Sequence, residues 1–316
     1  SPKAYDLEDA LKTVSNVQGH PIFLPLLNGF DHLQLMDDQF GKDRVMDTPI
    51  SEQAILGAAM GAAMAGLRPI AEIMFSDFLA VCWDIVANQI AKTRYMSDGQ
   101  INIPLVIRTA NGGGSKFGAQ HSQSLENWSM MIPGLKVVAP SSPGDVLGLM
   151  NSAVNDPDPV IFYEHKSLYA SKEELESTEL SIPLGQANIL HEGSDITIIG
   201  LALMAQRAKK AAIELKEKHN INAKVIDLRT LVPLDLQSIK SAINETGLAM
   251  TVEENPRLCG WGAEISSLIT EHCFSNLKGP VTRLTTPHVP LPSADILEDN
   301  TIPSVDVIVR EVIKKV

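Results

Sequence analysis

The chain has 316 residues, of which 44% are hydrophobic and 20% charged, as expected for a globular protein that buries two substantial cores. Its formal net charge of -12 argues against a surface for nucleic acid or for an anionic membrane, because both need a basic patch. The sequence has no apolar span long enough for a membrane, and its three cysteines lack metal-ligand or CxxC spacing. We therefore expect reduced thiols and a location in the cytoplasm of a bacterium or in an organelle matrix.

The first half of the chain predicts strands that alternate with helices. Apolar residues at helical spacing indicate an amphipathic helix over 6–17, and short apolar runs indicate strands. Such alternation, with helices of about ten or more residues, is typical of parallel βα units. The predicted strands are 21–27, 44–47, 69–75, 104–108, 136–139 and 159–163, and the further helices begin at Glu52 or span 77–92 and 144–155.

A polar stretch over 171–193 has no strong period and predicts a connection between two domains. The predicted strands beyond it are 195–200, 223–228, 248–253 and 281–284, and the predicted helices are 204–219, 236–244, 260–273 and 303–316. The predicted fold class is therefore α/β, with two doubly wound, mostly parallel sheets. We place the domains at 1–175 and 193–316, with a linker over 176–192.

One carboxylate stands directly before a helix made almost entirely of small residues. Pro49 favours an extended chain before it, and Ser51 is a good N-cap for a helix that begins at Glu52. Glu52 then lies in the first turn, where the helix dipole favours its charge. The Gly- and Ala-rich residues that follow predict a buried helix that packs closely against another backbone.

A glycine-rich loop follows one of the predicted strands. The spacing of Gly112–Gly114 and Gly118 matches neither a dinucleotide-binding nor a P-loop motif, so a close-approach loop is predicted instead. His121 comes directly after it. A loop histidine is usually exposed or structurally bonded, but open α/β sheets bind ligands beyond the carboxyl ends of strands. Two further strand ends, 164–166 and 253–256, fit loop chemistry and catalysis equally well.

Several stretches in register resemble the β subunits of thiamin diphosphate-dependent 2-oxo acid dehydrogenases. The resemblance runs from about residue 44 to the C-terminus, and two of the stretches are most similar to the acetoin dehydrogenase branch. The stretches that carry it are 44–52, 66–72, 119–124, 133–140, 156–160 and 225–235, with 164–169 and 286–290 for the acetoin branch.

The resemblance implies a pyrimidine-binding domain, then a transketolase C-terminal-type domain, and thiamin diphosphate held between subunits. It implies that Glu52 bonds N1′ of the aminopyrimidine, where a shared proton favours the imino tautomer that deprotonates the thiazolium. It assigns His121 as a catalytic histidine that faces the substrate or the lipoyl group. Ile50, Met74 and Phe78 match the other cofactor-binding positions.

In relatives a loop binds a monovalent cation, which we expect to be potassium. Backbone carbonyls together with a carboxylate suit such a hard cation. An ordinary helix C-terminal cap is the competing interpretation. The residues that match the loop are Leu105, Ala153, Val154, Asp156 and Asp158.

The chain lacks a motif that relatives use for the diphosphate. Those relatives carry Gly-Asp-Gly and a later Asn that hold a divalent metal, whereas this sequence has no Gly-Asp-Gly. The resemblance therefore implies an α subunit that holds the diphosphate and its Mg, in an α2β2 heterotetramer with a lipoyl acyltransferase core. The segment Leu24–Gly29 also departs from the family pattern, which has an acidic residue there.

The leading hypothesis is an enzyme, the β subunit of a thiamin diphosphate-dependent 2-oxo acid or acetoin dehydrogenase. Such an oxidoreductase cleaves a C–C bond next to the carbonyl of a small substrate and passes the acyl fragment to a lipoyl carrier. One alternative is a carboligase or ketol-transfer enzyme without a lipoyl acceptor. Another is a catalytically weakened scaffold subunit, against which the presence of Glu52, Phe78 and His121 argues.

Overall fold

The computed structural model describes residues 31–45, 48–175, 177 and 180–316. The predicted helix over 6–17, the predicted strand over 21–27 and the divergent segment Leu24–Gly29 lie outside these residues. The chain up to Ile55 and the chain from Leu56 onward form two compact units, and both sheets lie in the second. No described helix is long and apolar enough to cross a membrane.

The first unit begins, in its described part, with helix α1 (Asp31–Phe40). A strand is predicted over 44–47, but Arg44 closes a 3-10 turn over Lys42–Arg44, and residues 46–47 lie outside the described part of the chain. Gly41, which precedes this turn, has φ of 86°, a left-handed conformation that favours glycine and turns the chain out of α1. The start of the predicted strand is therefore wrong.

Helix α2 (Glu52–Met64) begins where the sequence predicts, but it is only half-buried in this chain. Leu56, Ala59 and Ala63 recur at helical spacing along its buried side. The opposite side is exposed, and a Cβ added at Gly61 would meet no atom within 4 Å. The predicted buried helix is thus buried on one side only in the single chain, because its small side chains leave the other face open unless another backbone covers it.

The first sheet has the strand order β1-β2-β4-β3-β8. The first four strands run parallel, and β8 is antiparallel to β3. Every residue of β4 is buried, as expected for a parallel strand with both faces covered. The ranges are β1 (Ile70–Phe75), β2 (Val106–Asn111), β3 (Lys136–Val138), β4 (Val160–His165) and β8 (Thr230–Val232).

Helix α5 (Pro143–Asn155) covers one face of this sheet. Leu149 belongs to the same buried cluster as Val106 and Phe162 of the strands. The helix starts at Ser142, whose Oγ accepts a hydrogen bond of 3.2 Å from the N–H of Asp145, with proline at the first helical position. The predicted helix over 144–155 is confirmed.

The continuous helix predicted over 77–92 is wrong. A 3-10 helix spans Ser76–Cys82 and a π-helix spans Ile85–Ile90, and the short helix α3 (Thr93–Met96) follows. The Asp77 carboxylate is turned inward to the side chain of Gln123, so it cannot cap a regular α-helix here. Irregular helical segments of this kind are common beside functional sites.

The second sheet has the order β10-β9-β6-β7-β5 and is parallel except for β5. Helices α6 (Leu203–His219) and α10 (Val305–Ile313) pack against each other over its main core. The strands are β5 (Asn188–His191), β6 (Ile196–Gly200), β7 (Ala223–Asp227), β9 (Ala249–Pro256) and β10 (Thr282–Thr286). The remaining helices are α4 (Glu126–Met130), α7 (Leu236–Thr246), α8 (Trp261–Cys273) and α9 (Asp295–Thr301).

The predicted α/β class with two mostly parallel sheets is confirmed. Strand β5 lies inside the stretch that the sequence predicts as a connection, and β8 lies where no strand is predicted. Strands of three or four residues are too short to show a period of two. The predicted domain borders remain a prediction.

Candidate active site

Three loops leave the carboxyl ends of neighbouring parallel strands at one edge of the first sheet. Strands β1, β2 and β4 are adjacent and parallel. They lead into the β1 loop (76–82), the β2 loop (112–125) and the β4 loop (166–169). This edge is where parallel α/β sheets bind ligands. The β2 loop carries His121 to it, as the sequence predicts for a residue beyond a strand end.

An aromatic cluster surrounds the His121 imidazole. Its ring lies edge-on to Phe75 with the centroids 4.9 Å apart, and edge-on to Phe78 at 5.4 Å. Phe117 packs edge-on against the Phe75 ring, with the centroids 6.1 Å apart. Within the described part of the chain, no hydrogen bond reaches either ring nitrogen of His121. Packing therefore orients the imidazole while leaving its nitrogens available to a reacting group.

Hydrogen bonds from the β1 loop hold the β2 loop on the C-terminal side of His121. The Gln123 side chain donates to Asp77 Oδ1 at 2.8 Å, and its backbone N–H donates to the same oxygen at 3.3 Å. The carbonyl of Gln123 accepts from Ser76 Oγ at 3.3 Å and from the N–H of Gly112 at 3.0 Å. The buried carboxylate of Asp77 thus serves the loop rather than solvent.

A lysine of the β4 loop contacts the backbone of the same histidine. Lys166 Nζ donates a hydrogen bond of 2.7 Å to the backbone carbonyl of His121, and it lies 5.3 Å from the centroid of the Phe75 ring. In the sequence, 164–166 fits loop chemistry and catalysis equally well. No sequence signal links Lys166 to His121, because 45 residues separate them.

The carboxyl end of β9 meets this edge from the second sheet. His165 Nε2 lies 2.8 Å from Glu254 Oε2, and the N–H of Gly113 donates to the other Glu254 oxygen. The N–H of Ser167 donates to His165 Nδ1 at 3.2 Å, so the ring proton lies on Nε2 and is donated to Glu254. Both His165 and Glu254 are buried, and they form a joint between the sheets.

A second set of buried polar groups lies beside that joint. Asn255 Nδ2 donates to the carbonyl of Ser124 at 2.8 Å and to Glu126 Oε2 at 3.0 Å. Asn111 Nδ2 donates to the other oxygen of Glu126 at 2.7 Å. Burial raises the pKa of the Glu126 carboxyl. Of the residues 253–256, whose role the sequence leaves open, Glu254 and Asn255 thus fix the second sheet to the β2 loop.

The cofactor-binding residues that the resemblance implies fall in both compact units. Ile50 and Glu52 belong to the first, where Ile50 is 84% exposed and Glu52 is half-buried at the start of α2. Met74, Phe78 and His121 belong to the second, in which they lie at the β1 and β2 strand ends. Met74 is 40% exposed. The roles of these residues stay predictions.

The residues predicted to bind potassium already have donors from the protein. The Val154 carbonyl accepts from Arg68 Nη1 at 2.7 Å, and Lys136 Nζ lies 2.6 Å from Asp156. Asp158 forms an ion pair with Arg94. The carbonyls of Leu105 and Ala153 accept backbone hydrogen bonds, from Val160 and Asp156 respectively. These contacts favour the competing interpretation of a helix end stabilised by the chain itself.

Comparison with known proteins assigns the chain to a class. Residues 29–172 match the family described as transketolase, pyrimidine binding domain, and residues 185–308 match transketolase, C-terminal domain. A chain of a solved structure described as "Split gene transketolase, inactive beta4 tetramer" is 22% identical, with a TM-score of 0.76 over 98% of this chain and 96% of that chain. The fold is therefore that of the transketolase-like proteins.

Similar sequences narrow the class to a family. The chain is 46% identical to the acetoin:2,6-dichlorophenolindophenol oxidoreductase subunit beta of Cupriavidus necator, over 83% of this chain and 77% of that protein. It is 43% identical to the pyruvate dehydrogenase E1 component subunit beta of Rickettsia conorii, over 88% and 85%. It is also 43% identical to the 2-oxoisovalerate dehydrogenase subunit beta of Bacillus subtilis, over 83% and 80%.

The chain belongs to the E1 β subunits of the acetoin and 2-oxo acid dehydrogenases, a family of oxidoreductases that use thiamin diphosphate. The predicted resemblance is confirmed. The named relatives are β subunits of multi-subunit dehydrogenases, which implies an α partner in this family. The names of these relatives do not support the two alternatives, a carboligase or a scaffold subunit.

Proposed function

We propose that this chain is the β half of a thiamin diphosphate-dependent dehydrogenase that acts on acetoin or on a small 2-oxo acid and delivers the acyl fragment to a lipoyl carrier. The observation that carries the proposal is the His121 imidazole, held by packing against Phe75 and Phe78 where three parallel strands end. That arrangement presents an unbonded imidazole at the ligand-binding edge of the sheet.

The exposed apolar groups at this edge fit the cofactor. Met74 is 40% exposed and Phe117 is 55% exposed, so the edge offers an open surface of thioether and aromatic carbon. A flat heterocycle such as an aminopyrimidine is stabilised by such packing. When bound, thiamin diphosphate supplies a nucleophilic carbon that attacks the substrate carbonyl and supports cleavage of the adjacent C–C bond.

Glu52 has the task of holding a proton at N1′ of the aminopyrimidine. Its carboxyl lies in the first turn of α2, where Ser51 and Glu52 begin a helix with one open face. Ile50 stands beside it as a large exposed apolar side chain. We infer that the partner chain completes the walls around this carboxyl, because α2 leaves small residues uncovered in the single chain.

His121 has the task of exchanging a proton with the reacting groups at the substrate or lipoyl side. General acid–base groups need an available nitrogen and a fixed orientation. The imidazole has both, since packing fixes it and no described hydrogen bond uses its nitrogens.

The α partner should supply the diphosphate site. The sequence lacks Gly-Asp-Gly, so we propose that the α chain holds the diphosphate and Mg in an α2β2 heterotetramer that docks on a lipoyl acyltransferase core. The loop that matches the potassium site of relatives fits a cation less well than it fits a helix end. Arg68, Lys136 and Arg94 already neutralise or bond its proposed ligands, and no step of the proposed function uses this cation.

Reconstitution with the α chain and a lipoyl domain tests the function. Glu52→Gln and His121→Ala should each lower kcat by about 10²–10⁴-fold, the usual contribution of a positioned acid–base group. Glu271→Gln removes a carboxylate from an exposed helix position and serves as the matched control. Unchanged kcat for Glu52→Gln would disprove the role of Glu52. Tight binding of thiamin diphosphate by the β chain alone would disprove the shared site.

A further inference from the structure

Lys166 is a buried cation that neither the family assignment nor the proposed chemistry uses. It follows strand β4 directly and begins the β4 loop, and only 8% of its surface is exposed. Lysine is rarely buried to this extent without a compensating partner. Lys166 makes no ion pair with a carboxylate of the described residues. Its surroundings therefore need another explanation.

Two contacts compensate the buried ammonium, and both lead to His121. Nζ donates to the His121 carbonyl at 2.7 Å, and it lies 5.3 Å from the centroid of Phe75. Phe75 is also the ring on which the imidazole packs, at 4.9 Å. Lys166 thus fixes the backbone of His121 through one contact and the support of its side chain through the other.

Three carboxylates act on the charge of the Lys166 ammonium without forming an ion pair with it. Burial lowers the pKa of Lys166, while the charges of Asp77, Glu254 and Glu298 act in the opposite direction. These carboxylates belong respectively to the β1 loop, strand β9 and helix α9. The ammonium therefore lies among groups from three elements, although its hydrogen bond goes to the β2 loop. Its neighbour Ser167 donates from Oγ to the Gly113 carbonyl at 3.1 Å, a second bond between the β4 and β2 loops.

We propose that Lys166 is a positioning residue for His121, holding the β2 loop and the imidazole in the geometry that acid–base transfer requires. The inference rests on the proposed function for the role of His121 in turnover. It goes beyond that function because it assigns a role to Lys166, which follows strand β4 and holds His121 in place. A displacement of about 1 Å at a catalytic group can cost about 10²-fold in rate.

A double-variant cycle in the reconstituted αβ enzyme tests the proposal. Lys166→Met keeps a long side chain but removes the hydrogen bond and the charge, and it should lower kcat by about 10–10²-fold. Because Lys166 acts through His121, the variant that combines Lys166→Met with His121→Ala should match His121→Ala within about twofold. Substrate KM should change less than kcat. Independent, multiplied losses in the combined variant would overturn the proposal.

A readout without turnover separates this inference from the proposed function. Hydrogen exchange over 115–124 should become at least about tenfold faster in Lys166→Met, since the anchor of the loop is lost. Lys92→Met is the matched control, because Lys92 Nζ likewise donates to a backbone carbonyl, that of Pro133, outside the three loops. It should leave exchange over 115–124 unchanged. Unchanged exchange in Lys166→Met overturns the proposal.

Failure of the proposed role of His121 can be distinguished from failure of the proposed role of Lys166. Full activity of His121→Ala would contradict the proposed role of His121, and the exchange experiment would still decide whether Lys166 anchors the loop. If Lys166→Met does not assemble with the α chain, Lys166→Gln takes its place, because its shorter polar side chain cannot span the same distance to the His121 carbonyl. The same non-additivity and the same faster exchange are then required of it.

Discussion

The buried carboxyl of Asp227 is expected to make the protein less stable as the pH rises. Asp227 ends strand β7 and is fully buried. Its Oδ1 accepts from the N–H of Arg229 at 3.1 Å, while its Oδ2 has no partner among the described residues. Burial, followed by the charge of Asp145, raises the pKa of Asp227 from 3.8 to about 7. Asp145 itself pairs with Arg229 at 2.6 Å, which leaves Asp227 little compensation.

The size and sign of the effect follow from this pKa. A rise of about 3 units corresponds to about 4 kcal/mol between the two protonation states. The folded state binds the proton more tightly than the unfolded state, so the free energy of unfolding falls as the pH rises from about 4 to about 7. Above that window the full penalty of a buried charge applies.

Asp227→Asn removes the charge and keeps the acceptor for Arg229. The variant should therefore be more stable than the wild type by up to about 4 kcal/mol at pH 8, but by only about 2 kcal/mol at pH 5. For a chain of this length these values correspond to rises of about 6 °C and about 3 °C in Tm. Thermal unfolding of the β chain at pH 5, 6, 7 and 8 measures both.

Glu271→Gln is the control for this experiment, because it also removes one negative charge but from an exposed position on α8. Its Tm should differ little from that of the wild type at every pH. A stabilisation by Asp227→Asn that is equal at pH 5 and pH 8 would refute the reasoning, as would a variant that melts below the wild type at pH 8.

Two further predictions concern stability. Arg108 donates to Glu164 through Nε at 2.8 Å and Nη2 at 2.6 Å, so Arg108→Met should leave the buried Glu164 carboxylate without its ion pair, with the Tyr169 hydroxyl still donating to it, and lower the free energy of unfolding by about 3–5 kcal/mol in urea titration. A loss below about 1 kcal/mol would contradict this. Gly134 has φ of 104°, and a Cβ there would overlap the Ala91 carbonyl oxygen, so Gly134→Ala should lower the Tm by several degrees. In the β chain measured alone, Gly61→Ala lies in open space on α2 and should not lower the Tm, and equal effects of the two alanines would argue against the steric explanation.

The regular part of the fold was predictable because it depends on local pattern. The apolar run before Phe75 predicts β1, and Ser142-Pro143 predicts the start of α5, since the residues that define these elements are neighbours in sequence. The segment after β1 was not predictable in the same way. Its helical period continues through Asp77, but the carboxylate of Asp77 bonds to Gln123, which is 46 residues away.

In the candidate site, too, local features were predictable from the sequence and long-range contacts were not. The position of His121 beyond a strand indicates a ligand-binding edge without any knowledge of its neighbours. Its control by Lys166 and the pairing of His165 with Glu254 depend on contacts across 45 and 89 residues. No spacing in the sequence encodes them. The polar groups at these strand ends could therefore be noticed from the sequence, but their partners could not.

Because of strand β8, the first sheet cannot be completed until most of the chain has been synthesised. This strand comes from residues 230–232 yet pairs with β3, at residues 136–138, and forms the outer strand of the first sheet. Until the ribosome has added those residues, β3 presents unpaired backbone groups at an open edge, which other chains can join. A fragment cut within 176–192 would keep that edge permanently. The N-terminal half is thus expected to require its C-terminal half as protection against aggregation.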